Sequence, residues 1–177
     1  MVKRSTRDPL ATPQFFVPQF GTGQVAKILD MKLWRVQKFV DARTFGLSPS
    51  GQTGTGYGSR RLFSDCDLCR IALARRMTDD GFTPKTVTEV LQSIENRDLL
   101  GIDERGRSVA LGVMLRRSES GPTAELFDLS KPPKLSIGGD TYYTIDLQEL
   151  KRDVDEGIGR FLPSKDRQVN PIERKRT

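Results

Sequence analysis

The chain has 177 residues, 36% of them hydrophobic and 29% charged, a balance typical of one ordinary globular domain or of two small ones sharing a core. It has no apolar run near the roughly 18 residues that span a bilayer, no signal-peptide pattern and only two cysteines, so we expect a cytoplasmic protein without a membrane partner. The absence of histidine removes the usual general base near neutral pH, and with no catalytic motif present we expect no enzyme.

The net charge of +6 is concentrated at the beginning of the chain. Residues 1–61 carry ten Lys and Arg against three Asp, a net of +7, so the remaining 116 residues sum to −1. A positive field confined to one third of a chain favours a surface that binds a polyanion. A basic surface that is merely solvated is the alternative.

The first helices are expected after a flexible basic arm at residues 1–19, which contains three prolines and either contacts phosphates or has no fixed structure. Thr22 is a candidate cap for a helix over 23–30, and a second helix is predicted over about 32–43. The second helix places four apolar residues on the core side: Leu33, Val36, Phe39 and Val40. Two short helices joined by about four residues predict a helix-turn-helix.

A glycine-rich segment at 47–63 follows, with Leu47 and Leu62-Phe63 as short strand ends, and it predicts a β-hairpin wing. A merely flexible loop is the alternative. Ser64 then caps a third helix over 65–80 that Gly81 ends, and Thr83-Pro84 opens a fourth helix over 84–96.

Residues 98–162 predict a small strand-rich module with a C-terminal helix, followed by a disordered basic tail at 163–177. The strands are expected at 99–103, 108–115, 124–129 and 141–146, and the amphipathic helix at 147–162. The apolar side of this helix either folds back onto its own sheet or meets a two-fold partner. The fold class is therefore expected to be α+β.

The order of helix, helix, hairpin, helix, helix resembles the MerR family of bacterial transcription regulators over about residues 20–95. The best local match is RRLFSDCDLCRIALARRMTDDGFTPKTVTEVL, and it is carried by Arg61, Phe63, Ser64, Asp67, Leu68, Gly81, Phe82 and Thr83. The resemblance implies a winged helix-turn-helix domain over 20–97, double-stranded DNA as the partner and a homodimer, with RNA polymerase a further candidate partner. The chain departs from the family after the fourth helix, where the strand-rich module stands in place of a long dimerising coiled coil.

In such a domain the second helix enters the major groove and the wing lies along the DNA backbone. The expected contacts of the helix are Arg35 to guanine, Gln37 to adenine, Lys32 and Lys38 to phosphates, and Trp34 to a sugar or a thymine methyl. Packing of Trp34 under the wing is the alternative for that residue. The wing would contribute Tyr57, Arg60 and Arg61.

Two further motifs are expected to have no chemical role. Cys66 and Cys69 form a C-x-x-C, but both fall on a predicted helix and no other Cys or His could complete a four-ligand zinc site. The glycines at 54–58 lack the Lys-Ser/Thr that follows a phosphate-binding loop. We therefore expect no metal and no cofactor.

The leading hypothesis is a dimeric, sequence-specific transcription regulator. An architectural or accessory DNA-binding protein, such as an excisionase-like factor or a chromosome-segregation adaptor, is the nearest alternative, because the same fold serves there. A winged helix that binds proteins is the third.

Overall fold

The protein has an α+β fold with five α-helices and two three-stranded antiparallel sheets among the residues that the structure describes. The structure is a computed structural model and describes residues 13–41, 43–53, 60–101, 108–115, 123–128 and 141–162. The helices are α1 (Thr22–Ile28), α2 (Leu33–Val40), α3 (Asp65–Asp79), α4 (Pro84–Ser93) and α5 (Leu147–Phe161). The strands are β1 (Phe20–Gly21), β2 (Gly51–Thr53), β3 (Arg60–Phe63), β4 (Val109–Leu115), β5 (Thr123–Asp128) and β6 (Thr141–Asp146). Within these ranges no helix has the length and apolar character that crossing a membrane requires.

The ends of α3 and α4 follow from local chemistry. Ser64 caps α3 by accepting a hydrogen bond from the Asp67 amide at 3.2 Å, and Asp67 accepts one from the Ser64 amide at 2.8 Å. Gly81, with φ +91°, ends α3 while the Phe82 amide donates to the Met77 carbonyl at 3.0 Å. Thr83 caps α4 with Pro84 in the first helical position. The predicted caps at 64, 81 and 83 are confirmed.

The first two helices are shorter than predicted. Gly21, not Thr22, is the capping residue of α1, and its amide donates to the Gln24 side chain at 2.7 Å. α2 ends at Val40 rather than at residue 43, because the Asp41 carbonyl accepts from the amides of residues 44, 45 and 46 in a tight turn. This turn places the Phe45 ring 4.7 Å from the Phe39 ring. Four residues, 29–32, join α1 to α2.

The first sheet has the strand order β1-β3-β2. Phe20 pairs with Phe63, and Gln52 pairs with Arg61 across the hairpin. The predicted strand end at Leu62-Phe63 is confirmed, whereas Leu47 precedes β2 and lies outside any strand. The predicted hairpin tip, which includes Tyr57, falls in 54–59 and lies outside the described residues.

The chain is already packed before residue 20. Pro13–Phe16 form a short 3-10 turn, and Phe15 is buried in the core, so the expectation of a flexible arm reaching residue 19 is wrong for this segment. The Gln19 amide donates to the Phe63 carbonyl at 2.9 Å, and its side chain donates to Asp65 at 2.9 Å. These contacts fix the segment to β3 and to the start of α3.

The second sheet has the strand order β5-β4-β6. The strands predicted at 108–115, 124–129 and 141–146 are confirmed to within a residue or two. The strand predicted at 99–103 is wrong for its first three residues. Leu99 and Leu100 lie in a 3-10 turn (Asp98–Leu100), and Gly101 has φ +72°. A Cβ at Gly101 would lie 2.4 Å from the Gln148 Cα, so this turn is pressed against the first residues of α5.

Helix α5 joins the second sheet to the helices of the first hundred residues. It packs against α1 and α3 as well as β4 and β6, and Val154 and Ile158 are buried in the same core as Val25 and Leu73. Gly157 permits the closest approach, since a Cβ there would lie 2.3 Å from the Ile28 carbonyl oxygen. Its own sheet, one of the two partners expected for its apolar side, covers part of that side, and α1 and α3 cover a further part, while Leu150 and Phe161 stay partly exposed.

Candidate nucleic-acid interface

Helix α1 is the centre of the candidate interface because it packs against both α2 and β3. These three elements and the residue that precedes α2 carry exposed cationic side chains, which we call the basic surface: Lys27, Lys32, Lys38, Arg60 and Arg61. The structure thus places cations from residues 27–38 and from residues 60–61 on elements that pack against α1 or belong to it.

Helix α2 has a buried and an exposed side. Val36, Phe39 and Val40 are buried, as predicted, while Lys32, Gln37 and Lys38 face solvent. The expectation for Leu33 is wrong, since 47% of this residue is exposed. Trp34 is 58% exposed, so the alternative in which the wing covers it is not favoured. The first turn of α2 therefore presents two large apolar side chains to solvent beside Lys32.

Arg35 differs from the other predicted DNA-contacting residues because it is engaged within the protein. Its guanidinium forms an ion pair with the carboxylate of Asp79 at the end of α3. It also lies 5.9 Å from the centre of the Phe39 ring. In this arrangement Arg35 is not available to a guanine base.

Arg60 and Arg61 line a cleft of about 610 Å3 together with the beginning of α1. Lys27 and Gln24, one turn apart on the exposed side of α1, complete the polar lining. We did not single out these two residues from the sequence. Their spacing of three residues predicts that both lie on one polar face of a helix. The neighbouring sequence does not indicate that this face lies beside β3.

A partly buried polar cluster connects the hairpin to α3. The Asp67 carboxylate, which caps α3, also accepts from the Ser50 amide at 3.0 Å, and the hydroxyls of Ser50 and Ser64 lie 3.2 Å apart. Ser64 is fully buried. Because hydrogen bonds to a carboxylate are stronger than neutral ones, these contacts attach the residue before β2 to the first turn of α3.

The cations of the basic surface have no ion-pair partner among the described residues. Of the seven described Lys and Arg before residue 64, only Arg35 forms an ion pair with a described residue. Of the eight described ones between 65 and 162, six do so, for example Arg76 with Asp80 at 3.3 Å and Lys151 with Asp155 at 2.5 Å. Cations without carboxylate partners leave a positive field directed at solvent.

The two cysteines of the C-x-x-C are free and buried in α3. Burial raises the pKa of the Cys66 thiol to about 11, partly opposed by the nearby Arg70 guanidinium, and burial also raises the pKa of Cys69. Within the described ranges no group of three or more His, Cys, Asp or Glu is placed to hold a metal ion. Both thiols are therefore in an environment that suppresses the thiolate, the form that binds metals and reacts.

We expect both thiols to resist alkylation in the folded protein. At pH 8 a thiol with a pKa of about 11 is ionised about a hundredfold less than one with a pKa of 9.0, so iodoacetamide should label the native chain at least that much more slowly than the unfolded chain. Mass spectrometry of samples quenched over time measures the rates. Native labelling as fast as that in guanidinium would contradict the burial of α3.

The same shift makes stability fall at alkaline pH. Between pH 9.0 and about 11 the unfolded Cys66 thiol has lost a proton that the folded one retains, so its contribution to the free energy of unfolding decreases as pH rises through this window. A Cys66→Ala variant should lack this part of the decline when urea unfolding is repeated at each pH.

Comparison with known proteins adds no assignment. A scan of protein-family models finds no match to the chain, and a search of curated proteins finds none either. The geometry and charge of the basic surface therefore carry the functional inference.

Proposed function

We propose that this protein is a sequence-specific DNA-binding transcription regulator whose first part is a winged helix-turn-helix similar to that of the MerR family. α1 and α2 with their four-residue link are the helix-turn-helix, and β2 with β3 is the wing. The packing of α1 against both α2 and β3 supports this assignment, because it places the first helix, which crosses the DNA backbone in such domains, beside the two elements assigned to DNA contact.

The observation that carries the proposal is the uncompensated charge of the basic surface. Five exposed cations on α1, α2 and β3 have no ion pair with any described residue, although most cations elsewhere in the described part of the chain have one. Such a cluster repels itself in the free protein, and a phosphate backbone would neutralise it with release of counterions.

Each element would then have a distinct task. The exposed side of α2 would enter the major groove, where Gln37 can read an adenine edge while Lys32 and Lys38 contact phosphates. The first helix of such domains crosses the backbone, which assigns Lys27 to a phosphate, together with Arg60 and Arg61 across the shared cleft. Trp34 can pack on a sugar or a thymine methyl.

A salt titration tests the proposal. Binding of the full chain to a fluorescent 30-base-pair duplex should weaken steeply with NaCl, and Lys32→Gln or Lys38→Gln should each reduce the slope of log K against log salt by about 0.9. Lys85→Gln is the matched control, since this lysine lies on α4 and pairs with Glu89. Absence of binding at 50 mM salt, or equal slopes for all variants, would overturn the assignment.

Selection of bound sequences from a random pool separates regulation from an architectural role. We expect one two-fold symmetric site and a dimer by sedimentation, because symmetric sites mirror the symmetry of the protein. Coverage of several adjacent sites without symmetry would favour the architectural alternative instead.

A further inference from the structure

Among the residues that the structure describes, Arg35 is the only cation of the helix assigned to the major groove that forms an ion pair within the protein, and its partner is Asp79. The two residues are 44 positions apart, and the contact joins α2 to the last residue of α3. The side chains are 27% and 45% exposed, so water and incoming ligands reach both. An ion pair this exposed contributes little net free energy and can be exchanged.

Asp79 has a second cationic partner besides Arg35. Its second oxygen lies 3.5 Å from the Arg75 guanidinium, one turn earlier on α3. Arg75 is itself fixed, because it donates to the Leu29 carbonyl at 2.5 Å and to the Asp30 carbonyl at 3.4 Å, at the end of α1. If Arg35 leaves, Asp79 keeps a cation and Arg75 keeps its place.

The packing of α2 against the core also does not depend on this ion pair. Val36 and Phe39 are at most 2% exposed, and Val40 is 7% exposed, so the core holds the helix by its other side. Movement of the Arg35 side chain away from Asp79 would therefore leave the helix backbone where it is. The contact can open without unfolding its surroundings.

We propose that Asp79 is an internal competitor that holds Arg35 in the free protein and gives it up to a guanine edge on bound DNA. This inference rests on the proposed DNA-binding function and deepens it. A bidentate contact to guanine O6 and N7 contributes more than an exposed ion pair, whereas a single solvent-exposed phosphate contact is comparable to that ion pair. Arg35 therefore stays on Asp79 over unrelated sequences and transfers to DNA at the selected site.

Removing the competitor should release Arg35 on every sequence. With Asp79→Asn, the affinity for the duplex enriched from a random pool is expected to rise about two- to fivefold, the range for an exposed ion pair. On a random duplex the gain should be smaller, but the salt slope should steepen by about 0.9, because Arg35 becomes an additional phosphate contact. A purely structural role of Asp79 would not steepen this slope.

Asp80→Asn is the matched control for charge. This residue is the next one along the chain and pairs with Arg76 and the Tyr143 hydroxyl, so its removal changes the charge without freeing Arg35. In an Arg35→Gln background the Asp79→Asn and Asp80→Asn changes should have equal effects. Asp79→Ser serves as a second variant if the asparagine forms a new hydrogen bond to Arg35.

The outcomes separate the two proposals. Weaker binding after Asp79→Asn, or the same gain with and without Arg35, would overturn the role of Asp79. Failure of the wild-type chain to bind any duplex would overturn the DNA-binding function itself. Circular dichroism and thermal unfolding confirm that each variant retains the fold.

Discussion

Replacement of Gly157 by alanine is expected to lower the free energy of unfolding by about 2 to 3 kcal/mol, which is large for adding one methyl group. The added Cβ would lie 2.3 Å from the Ile28 carbonyl oxygen and 3.2 Å from its carbonyl carbon. Both are backbone atoms at the end of α1, so neither can rotate away. Relief requires α5 and α1 to separate, and this exposes Val154 and Ile158. Urea unfolding followed by circular dichroism measures the change.

Gly159→Ala is the matched control because Gly159 lies two residues further along α5 and is exposed. There alanine should stabilise the protein by up to about 1 kcal/mol through its better helix propensity. The two substitutions make the same chemical change in one helix with opposite expected signs. If both substitutions stabilised the protein, this would contradict the contact of α5 with α1 at Ile28. It would also contradict the core that α5 shares with α1 and α3.

Local chemistry made much of the fold predictable. The caps at Ser64 and Thr83 and the glycine at 81 act through hydrogen bonds spanning three to five residues, so the sequence around each position contains the whole signal. The strands at 108–115 and 141–146 and the last helix were predictable for the same reason, since their periodicity is internal to each element.

The errors lie where distant segments decide the structure. Periodicity assigns Leu33 to the apolar side of α2, but whether the first turn is covered depends on the element that lies over it. Phe15 enters the core because the segment around it binds β3 and α3, not because of its neighbours in sequence. α2 ends at Val40 because the following turn must return Phe45 to Phe39.

The candidate site follows the same division. The exposed positions of α2 could be predicted from helical spacing, and Lys32, Gln37 and Lys38 are indeed exposed. The ion pair between Arg35 and Asp79 could not be predicted from helical spacing, because the two residues are 44 positions apart in the sequence. Nor could the cleft that joins Lys27 to Arg60 and Arg61, because it exists only once β3 packs on α1.

The double substitution Arg60→Gln, Arg61→Gln is expected to weaken DNA binding about a hundredfold at low salt. Both side chains are exposed at the start of β3 and line the cleft with Lys27, so each can donate charge-assisted hydrogen bonds to a phosphate. Two such contacts at about 1.4 kcal/mol each account for the factor of a hundred. The slope of log K against log salt should also fall by about 1.8.

Lys85→Gln with Arg152→Gln is the matched control, because it lowers the net charge by the same two units on α4 and α5, where both side chains pair with glutamates. If net charge alone attracted DNA, the two double variants would bind equally weakly. A loss confined to the Arg60, Arg61 variant, with the same slope change on every duplex tested, assigns these arginines to the backbone and leaves sequence reading to α2. Equal weakening in both variants would instead mean that the basic surface has no defined position on DNA, and the wing would lose its assigned role.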